Sequence, residues 1–368
     1  MQTHNFEFTG KTKEYFAIWI VNILLTIVTF GIYSAWATVR TNQYFYDNTC
    51  LDGDRFSYLA KPVSILIGRI IAAIGLGVWV LLNISNPVAG GAMMLIMLAF
   101  FPVLYVRSIG FELKMTQYRN IRFNFNGRYG QAYIAVLLKP LVAYIMVGAA
   151  IAITAMVLKP ISMVLTVIVG VVIALALAPF LFAWVIKGIH QYTLNNTRYG
   201  DLTFSSELST KDIFPMFLKF LLMLIITVAL FGVVGGISMG MGSSAGTLLK
   251  FLPYIGLVVM IIYIQVHLQA ELRNYIFSKT TLNDEIQFKS SMTINPCVIL
   301  IITNILLLIV SLGFAFPFIR IRTAKYIASI SHVDGDLATL KATEQVNSET
   351  GAIADEVSTA VGIAFETA

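Results

Sequence analysis

The polar side chains that could do chemistry are few, and most of them lie inside apolar runs. Asn22 and Asn304 hold matching places in two related segments, each an amide set in a stretch of Ile, Leu and Val. Arg69 sits about 7 residues into a third apolar stretch, roughly 10 Å deep at helical rise. Lys139 and Lys219 are placed similarly. An amide at membrane depth bridges helices for about 1 kcal/mol. The functional reading of Asn22 and Asn304 is a paired polar site at a pseudo-twofold interface, as transporters build from inverted repeats. The cations are read as snorkelling to the interface, with contact to a substrate or lipid headgroup as the other role.

Catalytic chemistry finds little support. His4, His190, His267 and His332 are scattered, and Cys50 and Cys297 stand alone. There is no Cys-x2-Cys pair and no glycine-rich phosphate loop ending in lysine. Gly236-Ile-Ser238-Met-Gly240 fits the spacing of a nucleophile elbow, but it follows a membrane helix where that elbow needs a strand. Close helix packing through glycine explains it better. No enzyme activity, cofactor or metal is expected. Asp52-Gly53-Asp54 and Asp334-Gly335-Asp336 read as turns, since Gly accepts positive φ and Asp can bond its own backbone. A hard cation on the paired carboxylates is the lesser alternative.

The elements that must position these residues are membrane helices. Apolar residues make up 58% of the chain, charged residues 12%, and mean hydropathy is +0.81. A soluble domain carries about a quarter charged residues. Eight apolar stretches reach the roughly 20 residues that cross a bilayer core: 15–36, 63–82, 88–106, 132–157, 161–186, 213–235, 248–268 and 297–319. The middle six form three pairs with short connections. The expected fold is therefore an all-α polytopic membrane protein. It has about eight apolar helices, three hairpins flanked by two related elements, with small strand-containing cytoplasmic loops.

The flanking elements are copies. Residues 6–54 match 288–336 without a gap, at 15 of 49 positions. The identities include Asn22/Asn304, Gly31/Gly313, Arg40/Arg322, Tyr44/Tyr326 and the two Asp-Gly-Asp turns. The long polar loops also look alike. Thr49 to Phe56, Thr116 to Phe123, Thr197 to Phe204 and Thr281 to Phe288 share one spacing, and Tyr44, Phe111, Tyr192 or Ile276 stands five residues earlier. Alternation after each Phe suggests a short strand. The expected unit is a helix end, a turn, a strand and the next helix, with the threonines satisfying turn or cap backbone groups.

Orientation follows from basic residues. The four long loops hold 14 Arg and Lys against one in the short connections, which places the loops in the cytoplasm. Eight spans then put both termini in the periplasm, although Arg320, Arg322 and Lys325 follow the last stretch. We take eight spans as the expectation. The alternative makes 15–36 and 297–319 re-entrant, broken near Gly31 and Gly313, with backbone shielded by protein or lining a wet cavity.

The run from Asn22 to Trp36, followed by Arg40, Tyr44, Thr49, Gly53 and Phe56, resembles the YjgN-like bacterial inner-membrane proteins. The resemblance covers about residues 6 to 336 and implies a multi-pass inner-membrane protein without implying an activity. The second copy departs from the pattern at Ala315 and Phe318, where the first has Tyr33 and Trp36. Residues 1–336 form one repeated transmembrane domain, and 337–368, poor in aromatics and rich in acids, reads as a mostly disordered tail. The net charge of +6 suits anionic lipid headgroups, not nucleic acid. Two functions remain open: a transporter or channel for a small solute, and a non-transporting protein that binds lipid or organises partners through its basic loops.

Overall fold

The structure, a computed structural model, describes residues 2–240 and 247–337. The chain is not all-α: ten short strands close into an antiparallel barrel. This corrects the expected fold class. The period-2 segments are the short strands the alternation suggests, but at three to six residues each they give no local sign that they pair into one closed barrel.

The architecture is one unit used five times. Each unit is a strand, a helical hairpin and a returning strand. The first has β1 (Thr3–Phe8), α1 (Thr12–Val28), α2 (Ser34–Asp47) and β2 (Thr49–Leu51). The second has β3 (Asp54–Tyr58), α3 (Pro62–Ser85), α4 (Pro87–Met115) and β4 (Thr116–Tyr118). The third has β5 (Ile121–Phe125), α5 (Tyr129–Leu158), α6 (Met163–Asn195) and β6 (Thr197–Tyr199). The fourth has β7 (Leu202–Ser206), α7 (Thr210–Gly240), α8 (Thr247–Ser278) and β8 (Thr280–Leu282). The fifth has β9 (Ile286–Ser290), α9 (Ile294–Val310), α10 (Phe316–Ser329) and β10 (Ser331–Asp334).

The pairing register recurs in every unit. Phe6 faces Leu51, Phe56 faces Tyr118, Phe123 faces Tyr199, Phe204 faces Leu282 and Phe288 faces Val333. β1 pairs with β10 and closes the ring. Period-2 alternation sends these ten side chains inward, and they form the barrel core together with Ile286 and Leu337. Leu337 therefore belongs to the barrel, one residue past the expected domain boundary. The remaining tail, 338–368, lies outside the described residues.

Because both strands of a unit are neighbours, both ends of its hairpin rise from one rim of the barrel. Among the described residues, six helices, α3 to α8, are long and apolar enough to cross a membrane. The eight expected spans reduce to six for a geometric reason. α1 and α9 hold 17 residues each, about 25 Å at helical rise, and the chain then turns back to the same rim. The turn in each is a Schellman-type ending. Phe30 (φ 50°) and Gly31 (φ 90°) make it in the first unit, and Leu312 (φ 50°) and Gly313 (φ 93°) in the fifth. Gly31 N–H donates to Thr26 O (2.8 Å) and Gly313 N–H to Leu308 O (2.9 Å). The tips expose Phe30, Ile32, Leu312 and Phe314, a surface suited to hydrocarbon rather than water. The paired termini β1 and β10 lie in the barrel, so neither end of the barrel-forming chain lies beyond the helices.

Two backbone devices tie helices to strands. The first residue of each returning strand donates its hydroxyl to the carbonyl four residues earlier: Thr49 to Phe45, Thr116 to Glu112, Thr197 to Thr193, Thr280 to Ile276 and Ser331 to Ile327, at 2.7–2.9 Å. In four of the five units a tyrosine five residues before it meets the backbone at the start of the same unit; the second unit has Phe111 there. Tyr44 meets Lys11, Tyr192 Arg128, Tyr275 Ser209 and Tyr326 Thr293. The fourth unit corrects the spacing read from sequence. Its turn holds three residues, Asn283 to Glu285, where the other tight turns hold two, so Thr280 and Tyr275 take the places expected for Thr281 and Ile276.

Candidate functional site

The helices form a ring in which each packs substantially only on its chain neighbours, with α1 against α10 closing it. Beneath the ring, the five phenylalanines fill the barrel mouth. Phe6 and Phe56 stack at 6.1 Å, Phe123 and Phe204 lie at 6.4 Å, and Phe204 and Phe288 stack at 5.5 Å. A cavity of about 370 Å³ lies on the helix side, lined by Phe45, Tyr46, Thr49, Leu113 and Thr116. A second, of about 190 Å³ and wholly apolar, lies inside the barrel against Leu51, Tyr118, Tyr199 and Val333. Phe6, Phe56 and Phe123 line both. The Tyr118 and Tyr199 phenols donate to Leu51 O (2.8 Å) and Tyr118 O (2.9 Å). Burial pushes both phenols up to about 12, so they stay neutral donors at physiological pH.

The polar membrane residues fall into two separate cavities, so Asn22 and Asn304 form no shared site. Asn22 and Arg69 line one of about 650 Å³, with Ser34, Thr38, Tyr15, Trp19, Phe316 and Arg320. Asn304 lines another of about 590 Å³, with His190, Arg273, Cys297 and Tyr326. A pseudo-twofold axis between the copies is also excluded. Both hairpins rise from the same rim and are adjacent members of a ring, with Trp19 of α1 stacked on Phe316 of α10 at 6.2 Å.

Each of these cations has a protein partner. Arg69 donates to Ser34 Oγ (2.6 Å) and Thr38 Oγ1 (2.8 Å) on α2. Lys139 lies over the Trp184 ring, and Lys219 pairs with Glu271 at 2.6 Å. Arg322 donates to Thr303 Oγ1 (2.7 Å) and Asn304 Oδ1 (3.2 Å). Arg40 instead reaches Tyr33 Oη (3.0 Å) on the exposed face. Asn22 Nδ2 donates weakly to Ala37 O (3.4 Å), and its Oδ1 is buried without a partner.

The Asp-Gly-Asp segments act structurally. Asp52 (φ 54°) and Gly53 (φ 82°) make the two-residue turn between β2 and β3. Arg119, from the neighbouring β4–β5 turn, binds both carboxylates, at 2.9 Å to Asp52 and closely to Asp54. Asp334 accepts from Thr3 (2.7 Å) and pairs with Lys289, which hold its carboxyl below the usual range. Ser238 lies within α7 with its hydroxyl on Gly235 O, which is no elbow; the connection 241–246 falls outside the described residues.

The spacing marks Phe56, Phe123, Phe204 and Phe288 as equivalent positions, but not that they and Phe6 face one barrel interior. Their shared signal is that Phe6, Phe56, Phe123, Phe204 and Phe288 each begin an alternating segment. Comparison with known proteins finds a match over residues 3–360 to a family described as a bacterial protein of unknown function, DUF898. The chain is similar to the inner membrane protein YjgN of Salmonella typhimurium, 28% identical over 374 residues, covering 92% of this chain and 91% of that one. It is also similar to the inner membrane protein YjgN of Escherichia coli O157:H7, 25% identical over 373 residues, covering 91% and 89%. No solved structure matches.

Proposed function

The chain belongs to this bacterial family of unknown function and is a multi-pass inner-membrane protein, and we propose that it is a channel or transporter for a small solute, here closed. The observation that carries the reading is the layer of five phenylalanines, three of which, Phe6, Phe56 and Phe123, stand between a cavity on the helix side and one inside the barrel. A narrow apolar constriction blocks water and ions by dewetting, without any charged barrier. The helix ring supplies the membrane passage, and the barrel is the plug at its basic, cytoplasmic end. The common register supports reading residues 1–336 as a repeated unit.

Reconstituted vesicles test this. Wild-type protein should leak small entrapped solutes slowly. The Phe56→Ser/Phe123→Ser variant should leak at least about tenfold faster, as expected when a dewetted constriction becomes wettable. A variant that keeps wild-type circular dichroism and elution yet leaks no faster would overturn the gate. Leu51→Cys gives a second reading. A membrane-impermeant thiol reagent added from the helix side should modify it only when the two serines are present.

A further inference from the structure

The cavity between the first and last hairpins contains an unmet demand that the gate does not use. Among the described residues no carboxylate lines it, while two guanidinium groups, Arg69 and Arg320, do. Arg69 spends two of its five N–H donors on Ser34 and Thr38. Arg320 rests over the Phe45 ring at 5.1 Å, hydrogen-bonds the Tyr15 side chain and is otherwise exposed. Asn22, only 5% exposed, presents a buried Oδ1 that accepts nothing. An unsatisfied buried acceptor costs about 1–3 kcal/mol, so an occupant that donates a hydrogen bond there is favoured.

We propose that this cavity binds a phosphate ester carrying an N–H or O–H donor, supplied by a phospholipid headgroup. The phosphate oxygens sit on the arginine pair, whose planar donors match phosphate geometry. The amine or hydroxyl donates to Asn22 Oδ1. The lipid source follows from the walls. Trp19, Ile23, Ile27 and Phe316 line the same cavity, and Ile27 is 67% exposed on the outer side of α1. Acyl chains can leave along that apolar face while the headgroup stays inside. Aromatic side chains at this level suit the interfacial zone.

The test uses full-length protein in detergent and reads thermal unfolding against four additives: short-chain phosphatidylethanolamine, short-chain phosphatidylcholine, glycerol 3-phosphate and inorganic phosphate. Phosphatidylethanolamine should stabilise most. Phosphatidylcholine has the phosphate but no N–H donor, and should bind about tenfold more weakly, the equivalent of one hydrogen bond. Asn22→Ala should erase that difference and keep the phosphate response. Arg69→Gln/Arg320→Gln should abolish the response to every additive. If the double variant does not fold, Arg320→Gln alone, at an exposed position, should weaken it. Equal stabilisation by glycerol 3-phosphate would support the site and assign it a soluble ester. Absence of any phosphate response, or a response unchanged in the arginine variants, overturns the proposal. Vesicle leakage through the barrel is read separately, so either idea can fail alone.

Discussion

The first and last hairpins share a backbone and differ in their polar wiring. Both turn through the same positive-φ pair, and both carry an Asn on the first helix and an Arg-Thr pair on the second. In the last hairpin, Arg322 donates to Asn304, and the amide is satisfied. In the first, Arg40 is drawn outward by the phenol of Tyr33, and Asn22 is left with a free acceptor. Two substitutions account for this. Where the first hairpin has Tyr33, the last has Ala315, which offers Arg322 nothing to reach. Where the first has Val21, the last has Thr303, whose hydroxyl holds Arg322 inward at 2.7 Å. Matched residues therefore form a closed hydrogen-bonded contact in one copy and leave an unpartnered acceptor in the other. The deciding positions are ones that a motif comparison treats as noise.

The largest expected effect falls on what the two hairpins share, the barrel that carries both. Tyr118 and Tyr199 have phenols raised by burial to about 12, above an unfolded value of about 10. A raised acid binds its proton more tightly when folded, so its stabilisation is intact below pH ~10 and is lost as pH rises through ~12. Circular dichroism across that window should show cooperative loss of both hairpins together. Tyr118→Phe/Tyr199→Phe should move the loss to higher pH.

Next in size is the test that would break the comparison. Asn304→Leu strips Arg322 of an acceptor at membrane depth and should cost about 1–3 kcal/mol. Asn22→Leu removes an acceptor that nothing uses and should be near neutral in lipid-free detergent. Equal losses in the two variants would mean that the wiring difference has no energetic weight.

A smaller pair sharpens the shared half of the comparison. Gly31→Ala and Gly313→Ala each force a side chain onto left-handed backbone, φ 90° and 93°, and should cost about 1–2 kcal/mol apiece. Similar falls in melting temperature are expected; a fall at one site alone would mean that the turns are not equivalent. Smallest is Tyr33→Phe. It removes one exposed hydrogen bond, worth about 0.5–1 kcal/mol, and frees Arg40 to turn inward as Arg322 does. Weaker binding of phosphatidylethanolamine relative to phosphatidylcholine would then report that Asn22 has been satisfied internally.

Much of this was legible before the structure. The paired helices, the Asp-Gly turn and the strand-start hydroxyls of Thr49, Thr116 and Thr197 follow from local rules that act over a few residues. The fivefold closure was not legible, because strands of three residues are set by pairing with distant segments, and no local preference is strong enough to declare them. The terminal stretches were misjudged as spans for a related reason. Their apolar length fits a bilayer, and only the pairing of β1 with β2 forces the chain back to its starting rim. At the candidate sites, Asn22, Asn304 and Arg69 were identifiable by type and depth. Their separation into two cavities depends on ring order, which no single segment encodes.

The central claim is the closed barrel, and its closure can be measured directly. Asn5 and His332 face each other across β1 and β10, with Asn5 Oδ1 and His332 Nδ1 2.8 Å apart. In a background lacking Cys50 and Cys297, Asn5→Cys/His332→Cys should form a disulfide in native membranes under mild oxidation, in high yield and within one chain. Controls paired one residue out of register should not. Failure of the facing pair to cross-link, with both cysteines labelled from the periplasmic side, would contradict the barrel and restore a chain of eight spans.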